Sequence, residues 1–236
     1  MLSSYSREAL KKVSTATLTT VLFKRGLRNV FIQGVFLLTA NRGVRMVGEA
    51  FTLRYIPARE DIDQLGAFEG RGHPQREAIE ACPPGQVLVM DARRDASAAT
   101  GGDILMTRLM VRGAAGIVTD GGLRDSPTIE KLDFPVYCGA RSAPLNLVRH
   151  HAIDMQQPIG CGGVSVYPGD VMVGDGEGVV VIPAKMADEV AKEAEAQTVF
   201  EDWVEAKVKE GRSIFGLYPP SPETKAEFEA WKSKQK

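Results

Sequence analysis

The chain has few cysteines, almost no net charge and no long apolar run, and each absence excludes a class of protein. The three cysteines, Cys82, Cys138 and Cys161, are scattered and form no CxxC spacing, so the sequence predicts neither a disulfide framework nor a zinc site. The formal net charge of −1 gives no general attraction to nucleic acid or to an anionic membrane. No apolar stretch approaches the length of a membrane span.

The amino terminus also lacks the apolar segment of a secretory signal, so we expect a cytoplasmic protein. With 236 residues, 44% of them hydrophobic and 25% charged, the composition is that of an ordinary globular chain. This length suits one large domain, or one domain with an appendage. We expect neither a nucleic-acid partner nor a membrane partner.

The segment from Val87 to Asp125 has the pattern of a strand, a helix and a second strand. Short apolar runs at Val87–Asp91 and Ile117–Asp120 are typical of buried strands. Between them a helical pattern runs from about Ile104 to Val111 and stops near Gly113. Two strands joined through a helix form a parallel βαβ unit, and open parallel sheets bind ligands beyond the carboxyl ends of their strands.

Two loops at that edge carry groups suited to an anion and to a cation. The loop ATGGD, residues 99–103, contains glycines that permit close approach of backbone N–H groups, and a helix amino terminus favours an anion. The loop GGLRD, residues 121–125, supplies the forked donor of Arg124 and the oxygen ligands of Asp125. Singly, such residues mark turns and surface charge. Together with Asp103 they predict a site for a small anionic substrate and a divalent metal.

The run GGDILMTRLMVRGAAGIVTDGGLRD, residues 101–125, resembles the core of the family of 4-hydroxy-4-methyl-2-oxoglutarate aldolases and proteins like the regulator of ribonuclease activity A (RraA-like). Similar pieces follow, namely FPVY at 134–137, IGCGGVSVYPGD at 159–170 and DGEGVVVIP at 175–183. The resemblance covers about residues 14–195. It implies a swivelling β/β/α arrangement of layered mixed sheets, assembled as a homotrimer or a dimer of trimers with sites between subunits.

The resemblance also implies roles for the residues of the two loops. Four backbone N–H groups at the helix start would receive the carboxylate of a pyruvate-like unit, and they belong to Gly102, Asp103, Ile104 and Leu105. Arg124 would bind the keto-acid end of the substrate. Asp125 would hold a divalent metal, usually Mg²⁺ with Mn²⁺ as the alternative, partly through water.

The chemistry of these residues indicates a metal-dependent lyase that acts on a 2-oxo acid. Cleaving a bond next to a 2-oxo group leaves an enolate, whose charge a chelated divalent cation and Arg124 would stabilise. The motif offers no histidine or lysine to take the 4-hydroxyl proton, so we expect a water held by Asp103 to do so. The resemblance implies pyruvate as one product, and decarboxylation of oxaloacetate as a side activity.

Two other functions remain open from the sequence. One is a dehydratase of a 2-keto-3-deoxy sugar acid, which would use the same metal and arginine. The aldolases tend to carry an acid three residues after the metal aspartate, whereas this chain has Thr128 there, with Glu130 nearby but out of register. The other is a non-catalytic regulator that binds a ribonuclease. Family members of that kind lack the Arg-Asp pair that this chain keeps.

The polar segment at residues 57–74 leaves further room for the dehydratase. Its many charges would fringe a substrate entrance, or would belong to a solvated loop.

The adjacent His150 and His151 would point to opposite faces of a strand, so they cannot both bind one metal. Another strand is predicted over Met46–Tyr55, with a bulge at Gly48.

The carboxyl-terminal part has a different pattern. A long amphipathic helix is predicted over residues 186–209, ended by Gly211, and a shorter helix follows Ser221 with Phe228 and Trp231 on one face. We therefore expect an α/β domain over residues 1–185 and a C-terminal helical extension over residues 186–236. A neighbouring subunit is the surface on which we expect the extension to lie.

Overall fold

The computed structural model describes residues 2–40, 43 and 45–235. The helices are α1 (Ser4–Leu10), α2 (Thr15–Lys24), α3 (Pro74–Ala81), α4 (Asp103–Val111), α5 (Ser126–Ile129), α6 (Ala187–Lys209) and α7 (Pro222–Ser233). The strands are β1 (Phe36–Leu37), β2 (Met46–Pro57), β3 (Val87–Asp91), β4 (Gly116–Thr119), β5 (Gly122–Leu123), β6 (Val136–Cys138), β7 (Ala140–Arg141), β8 (His150–Met155), β9 (Ile159–Cys161), β10 (Val164–Val166), β11 (Val171–Gly174) and β12 (Val179–Ile182). Single 3₁₀ turns occur at Leu65–Phe68, Asn146–Val148 and Ala184–Met186.

The main sheet is mixed, with the strand order β1-β6-β4-β3-β2-β11-β12 and β8 paired with the end of β2. Its centre is parallel, because β2, β3, β4 and β6 run in one direction. Its flanks, β1, β8, β11 and β12, are antiparallel to their neighbours. The apolar residues of β3 and β4 are buried along both strands, as expected of parallel strands covered on both faces.

Different layers cover the two faces of the central strands. On one face, α3 and α4 bury Ile79 and Leu109 against Leu88 of β3. On the other face, the antiparallel hairpin of β9 and β10 buries Val166 against Val118 of β4. The fold class predicted from the sequence, α/β with layered mixed sheets, is confirmed.

The predicted βαβ unit is present. β3 and β4 are adjacent and parallel, and α4 lies between them in the chain, starting at Asp103, one residue before the predicted start. Gly113 follows the helix with a φ of 79°, a conformation that glycine adopts without steric cost. The predicted bulge at Gly48 is wrong, because the irregularity in the pairing of β2 falls between Arg54 and Tyr55, where Ile153 of β8 is the extra residue. Gly48 instead permits close packing, since a Cβ there would lie 2.6 Å from the carbonyl oxygen of Gly85.

The C-terminal helices pack on the chain that carries them. The first half of α6 buries Val190 against α1 and α2, and its second half carries Trp203. The ring of Phe228 in α7 lies 5.5 Å from that of Trp203, centroid to centroid. The expectation that a neighbouring subunit provides this surface is thus corrected for Phe228, because α6 of the same chain covers it. The boundary after residue 185 and the trimeric assembly stay predictions.

Cys82, Cys138 and Cys161 are free and buried. Each helix in the described part of the chain is too short or too polar to cross a bilayer.

The two histidines of β8 have different surroundings, as their alternation predicts. His150 is buried, with Nε2 3.3 Å from the carbonyl oxygen of Ala98 and Nδ1 3.2 Å from the Arg93 guanidinium. This arrangement suits a neutral ring that is protonated at Nε2. Burial lowers the pKa of His150 below its ordinary value. His151 is half-buried and pairs with Asp63 at 2.7 Å.

We expect the buried histidine to make stability depend on pH. Because the pKa of His150 in the folded chain lies below the ordinary value of 6.5, the unfolded chain binds a proton first as the pH falls. The free energy of unfolding should therefore decrease below about pH 6.5, by at most about 1.4 kcal/mol per pH unit for this group. Denaturant unfolding of wild type and His150→Gln at about pH 7.5 and about pH 5.5 measures the effect. Equal losses of stability in both proteins would contradict it.

Candidate active site

Backbone hydrogen bonds join the two glycine-containing loops at the carboxyl edge of β3 and β4. The N–H of Thr100 donates to the carbonyl of Gly122 at 2.8 Å, and the N–H of Arg124 donates to the carbonyl of Gly101 at 3.1 Å. The Thr100 hydroxyl donates to the same Gly122 carbonyl at 3.1 Å. The loop that opens α4 and the loop that carries Arg124 therefore form one unit.

Two buried side chains that were not predicted from the sequence donate hydrogen bonds to the loop that opens α4. Gln75 of α3 donates through Nε2 to the carbonyl oxygen of Thr100 at 2.6 Å, and the Tyr55 hydroxyl donates to the same oxygen at 3.2 Å. Burial raises the pKa of Tyr55, so the phenol keeps the proton that it donates. Their contribution is to hold the loop in one conformation, which a preorganised anion site requires.

The start of α4 offers backbone donors to an anion. Gly102 is the N-cap and provides no side chain to satisfy the first N–H groups. The N–H of Ile104 donates to Oδ1 of Asp103 at 2.8 Å, and the N–H of Leu105 donates to the carbonyl of Gly102 at 3.1 Å. Within the described residues, the N–H groups of Gly102 and Asp103 have no acceptor. Of the four predicted donors, two are thus free and two are engaged.

Arg124 and Asp125 lie together across Gly102. Nε of Arg124 is 3.2 Å from Oδ2 of Asp125, and both side chains remain more than 40% exposed, at 44% and 42%. Asp125 precedes α5 with a φ of 56°, a left-handed conformation that costs a non-glycine residue on the order of 1 kcal/mol. The guanidinium of Arg124 and the carboxylate of Asp125 therefore lie beside the start of α4, and the backbone strain is at Asp125.

We expect Gly102 to be intolerant of a side chain. A Cβ at this position would lie 2.7 Å from Oδ2 of Asp125 and 3.1 Å from Cγ of Arg124, so both groups would have to move. Gly102→Ala should raise the KM for the substrate by on the order of tenfold, or about 1.4 kcal/mol. Gly160→Ala is the matched control, because a Cβ there meets nothing within 4 Å. Equal kinetics for the two variants would show that the approach to Gly102 is unimportant.

The predicted site residues line one cavity of about 360 Å³. They are Gly102, Asp103, Ile104, Leu105, Arg124 and Asp125. Other residues line the rest of the wall, and among them are Phe68 from the polar segment at 57–74, Arg76 of α3 and Asn146 after β7. Sequence reasoning missed these three because they belong to separate segments whose approach depends on tertiary packing.

A larger groove of about 820 Å³ lies elsewhere, between α2, α6 and the segment before α7. Its wall includes Phe200, Tyr218 and Phe228, and it shares no residue with the cavity at Gly102. Size alone does not make this groove the active site. The smaller cavity has the free backbone donors, the arginine and the carboxylates, and it lies at the sheet edge where parallel strands present ligands.

The carboxylates present fit a hydrated divalent cation. Among the described residues, no three or more His, Cys, Asp and Glu side chains are grouped to hold a metal. Asp125 and Asp103 nevertheless both line the cavity. Mg²⁺ commonly keeps several waters and takes its remaining ligands from one or two carboxylates and from the substrate. The donor set therefore suits Mg²⁺ at Asp125, with water and substrate oxygens, and does not form a cage made by protein alone.

The residues near the missing family acid do not replace it. Thr128 is exposed, and its N–H donates to the carbonyl of Asp125 at 3.0 Å inside the first turn of α5. Glu130 forms an ion pair with Arg141 and does not line the cavity. Within this chain, Asp125 is therefore the carboxylate of that loop that faces the site.

Comparison with known sequences decides the family. A model of the RraA-like family, described as Aldolase/RraA, matches residues 15–181. The chain belongs to the RraA-like family. The resemblance seen in the sequence is confirmed, and the match includes every predicted site residue.

Curated RraA-like relatives are similar over part of their length. A Halalkalibacterium halodurans protein, provisionally named a 4-hydroxy-4-methyl-2-oxoglutarate aldolase, is 37% identical over 119 residues, which is 50% of this chain and 56% of that protein. Protein DlpA of Legionella pneumophila is 26% identical over 174 residues, 74% of this chain but 27% of its own length. The chain thus spans little more than half of the first relative and about a quarter of the second.

Solved structures extend the likeness to nearly the whole fold. An uncharacterized protein from Pseudomonas syringae pv. tomato superposes with a TM-score of 0.78 at 25% identity, covering 92% of this chain and 98% of that one. RraAS2 of Streptomyces coelicolor, described as an unusual member of the RNase ES inhibitor RraA protein family, gives 0.76 at 29% identity, covering 86% and 97%. The similar proteins thus include one provisionally named as an aldolase and one described as a member of an RNase ES inhibitor family.

Proposed function

We propose that this RraA-like protein is a divalent-metal-dependent lyase that cleaves a 4-hydroxy-2-oxo acid by a retro-aldol reaction and releases pyruvate. The observation that carries the proposal is the meeting of three groups at one cavity. Free N–H groups at the start of α4, the guanidinium of Arg124 and the carboxylate of Asp125 all lie beside Gly102. The provisional aldolase name of the Halalkalibacterium halodurans relative supports the same reaction class.

The first task of the chain is to bind and orient the keto acid. The N–H groups of Gly102 and Asp103, at the positive end of α4, donate hydrogen bonds to the substrate carboxylate. The Arg124 guanidinium has donors beyond Nε, and these reach the 2-oxo oxygen while Nε remains near Asp125. Gln75 and Tyr55 keep the loop in place through the Thr100 carbonyl, so little reorganisation is needed on binding.

The second task is to manage charge and a proton during cleavage. A water held at Oδ2 of Asp103 takes the proton of the 4-hydroxyl, because Oδ1 already accepts from Ile104. The C3–C4 bond then breaks, its electron pair moves toward the C2 oxygen, and an aldehyde or ketone leaves. Arg124 stabilises the enolate charge, and protonation at C3 gives pyruvate.

A divalent cation held through Asp125 would supply Lewis-acid polarisation of the 2-oxo oxygen when bound. Asp125 suits this role because it is half-exposed on the cavity wall and Arg124 is its one ion-pair partner among the described residues. The same carboxylate pairs with the guanidinium of Arg124 on that wall. Oxaloacetate would bind to the same groups, and its loss of CO₂ leaves the same enolate. Decarboxylation of oxaloacetate is therefore the expected side activity.

The experiment that tests the proposal is a product screen. Purified protein with Mg²⁺ or Mn²⁺ is incubated with a panel of 4-hydroxy-2-oxo acids and 2-keto-3-deoxy sugar acids, and released pyruvate is measured with and without EDTA. We expect pyruvate from at least one 4-hydroxy-2-oxo acid, and its loss in EDTA. Dehydration of a sugar acid without pyruvate would establish the dehydratase instead, and no turnover of any acid would favour a regulator.

A further inference from the structure

Two neighbouring apolar side chains in the C-terminal extension are left in solvent. Phe215 is 90% exposed and Ile214 is 56% exposed, and both lie in the connector between α6 and α7, residues 210–221. Neither belongs to the apolar cluster that α6 and α7 form around Trp203 and Leu217. We call Ile214 and Phe215 the anchor. Large exposed apolar groups that stand together mark a contact with another molecule.

The connector holds the anchor in one conformation. The N–H of Leu217 donates to the carbonyl of Ile214 at 3.0 Å, and Leu217 itself is fully buried. The carbonyl of Gly216 accepts from the N–H of Ser221 at 2.8 Å and from the Thr224 hydroxyl at 2.7 Å. An aromatic side chain on an ordered backbone loses little conformational entropy on binding, which is the property of a preorganised interface residue.

The groove of about 820 Å³ between α2, α6 and the connector is an apolar surface of the same extension. Aromatic rings and prolines line it, namely Phe200, Tyr218, Pro219, Pro220 and Phe228. The anchor of the same chain is not part of this wall. One copy of the chain therefore carries both an exposed aromatic group and an aromatic groove that it does not occupy with that group.

The distribution of charge favours a second copy of the chain as the occupant of the groove. Residues 213–218, SIFGLY, contain no charged side chain, so the anchor enters an apolar groove without the cost of desolvating a charge. The charged residues that line the groove are Lys24, Lys225 and Glu229, and all three are exposed. An apolar centre with a solvated charged rim is the arrangement of a protein–protein interface.

From these observations we infer that two copies of the chain associate by placing the anchor of each in the groove of the other. Tyr218 of the groove follows Phe215 by three residues, so anchor and groove are adjacent on one copy. A two-fold axis beside the connector then brings each anchor to the other groove, which is a self-complementary, isologous contact. The match to the RraA-like family ends at residue 181, so this contact belongs to the extension.

The test uses two variants that remove opposite halves of the contact. Phe215→Ser removes the anchor and keeps the groove. Thr20→Arg keeps the anchor and obstructs the groove, because exposed Thr20 lines it from α2, and arginine suits a helix. Phe36→Ser is the matched control, since Phe36 is a 42% exposed phenylalanine of β1 that does not line the groove. Sedimentation velocity over a concentration series measures the mass of each full-length protein.

Wild type should form an assembly with an even number of chains. Phe215→Ser and Thr20→Arg should each halve its mass, with a rise of about a hundredfold in the dissociation constant, because each of the two contacts contributes about tenfold. Phe36→Ser should match wild type. An equal mixture of Phe215→Ser and Thr20→Arg should recover part of the pairing, because one intact anchor then meets one intact groove.

Recovery in the mixture is the result that a general effect on folding would not produce. A wild type that is monomeric or has an odd number of chains, an unchanged mass in either variant, or no recovery in the mixture would overturn the inference. An unchanged mass in both variants would leave the groove to a different molecule. None of these measurements involves turnover, so the pairing and the proposed lyase activity stand or fail separately.

Discussion

Asp125→Ala is expected to abolish the pyruvate release that depends on a divalent cation, while the protein stays folded. Asp125 is the carboxylate of its loop that faces the cavity, so its removal leaves Mg²⁺ without a protein ligand from that loop. The side chain is 42% exposed and makes no buried hydrogen bond, so the fold should lose little stability. Turnover is measured by coupled detection of pyruvate over a range of Mg²⁺ concentrations, and folding by denaturant titration.

Two further variants make this result specific. Asp125→Asn keeps the size of the side chain and tolerates the φ of 56°, so a loss of activity in it would be due to charge alone. Glu130→Gln is the matched control, because Glu130 pairs with Arg141 outside the cavity and should be dispensable for turnover. Metal-dependent turnover that persists in both Asp125 variants would show that another residue binds the cation.

Arg124→Lys is expected to lower kcat by on the order of a hundredfold, as for the loss of one oxyanion donor. Lysine keeps the charge but loses the planar fork, which is not a conservative change where two oxygens are bound together. The effect should fall on kcat more than on KM, because the enolate carries more charge on the C2 oxygen than the bound substrate does. Steady-state kinetics on the substrate found by the product screen measures both constants.

Oxalate binding provides a readout of Arg124 that does not require turnover. Oxalate is a planar mimic of the pyruvate enolate, so its affinity should fall in Arg124→Lys together with kcat. Arg141→Lys is the matched control, since exposed Arg141 pairs with Glu130 and does not line the cavity. If kcat and oxalate affinity in Arg124→Lys equal those of wild type, Arg124 does not contact the reacting oxygens.

The parts of the fold that could be predicted are those with a local signal. The apolar runs at β3 and β4 and the periodicity of α4 are visible in the sequence, so the βαβ unit and its glycine stop were predicted to within one residue. The position of the irregularity could not be predicted from β2, because it arises where the pairing of β2 with β8 skips Ile153 of β8. The residues of β2 carry no signal of that pairing. The surface of α7 was missed for the same reason, since its partner is a distant part of α6.

The site residues also fall into those that could be predicted from a local signal and those that could not. The rule that parallel strands present ligands at their carboxyl ends selected Gly102, Asp103 and the Arg124–Asp125 pair from the sequence alone. Phe68 and Asn146 carried no such signal, because neither follows a central strand. The polar segment at 57–74 contributes both to the cavity, through Phe68, and to an anchor, through the pair of Asp63 with His151. Neither a solvated loop nor a fringe of charges describes it fully.

The most direct test of the central claim is a crystal structure of the protein grown with Mg²⁺ and oxalate. We predict oxalate in the cavity beside Gly102, with one carboxylate at the N–H groups of Gly102 and Asp103, Arg124 at its other oxygens, and the cation at Asp125. Oxalate ordered at any other place on the chain, or a cavity that stays empty at saturating oxalate, would contradict the account.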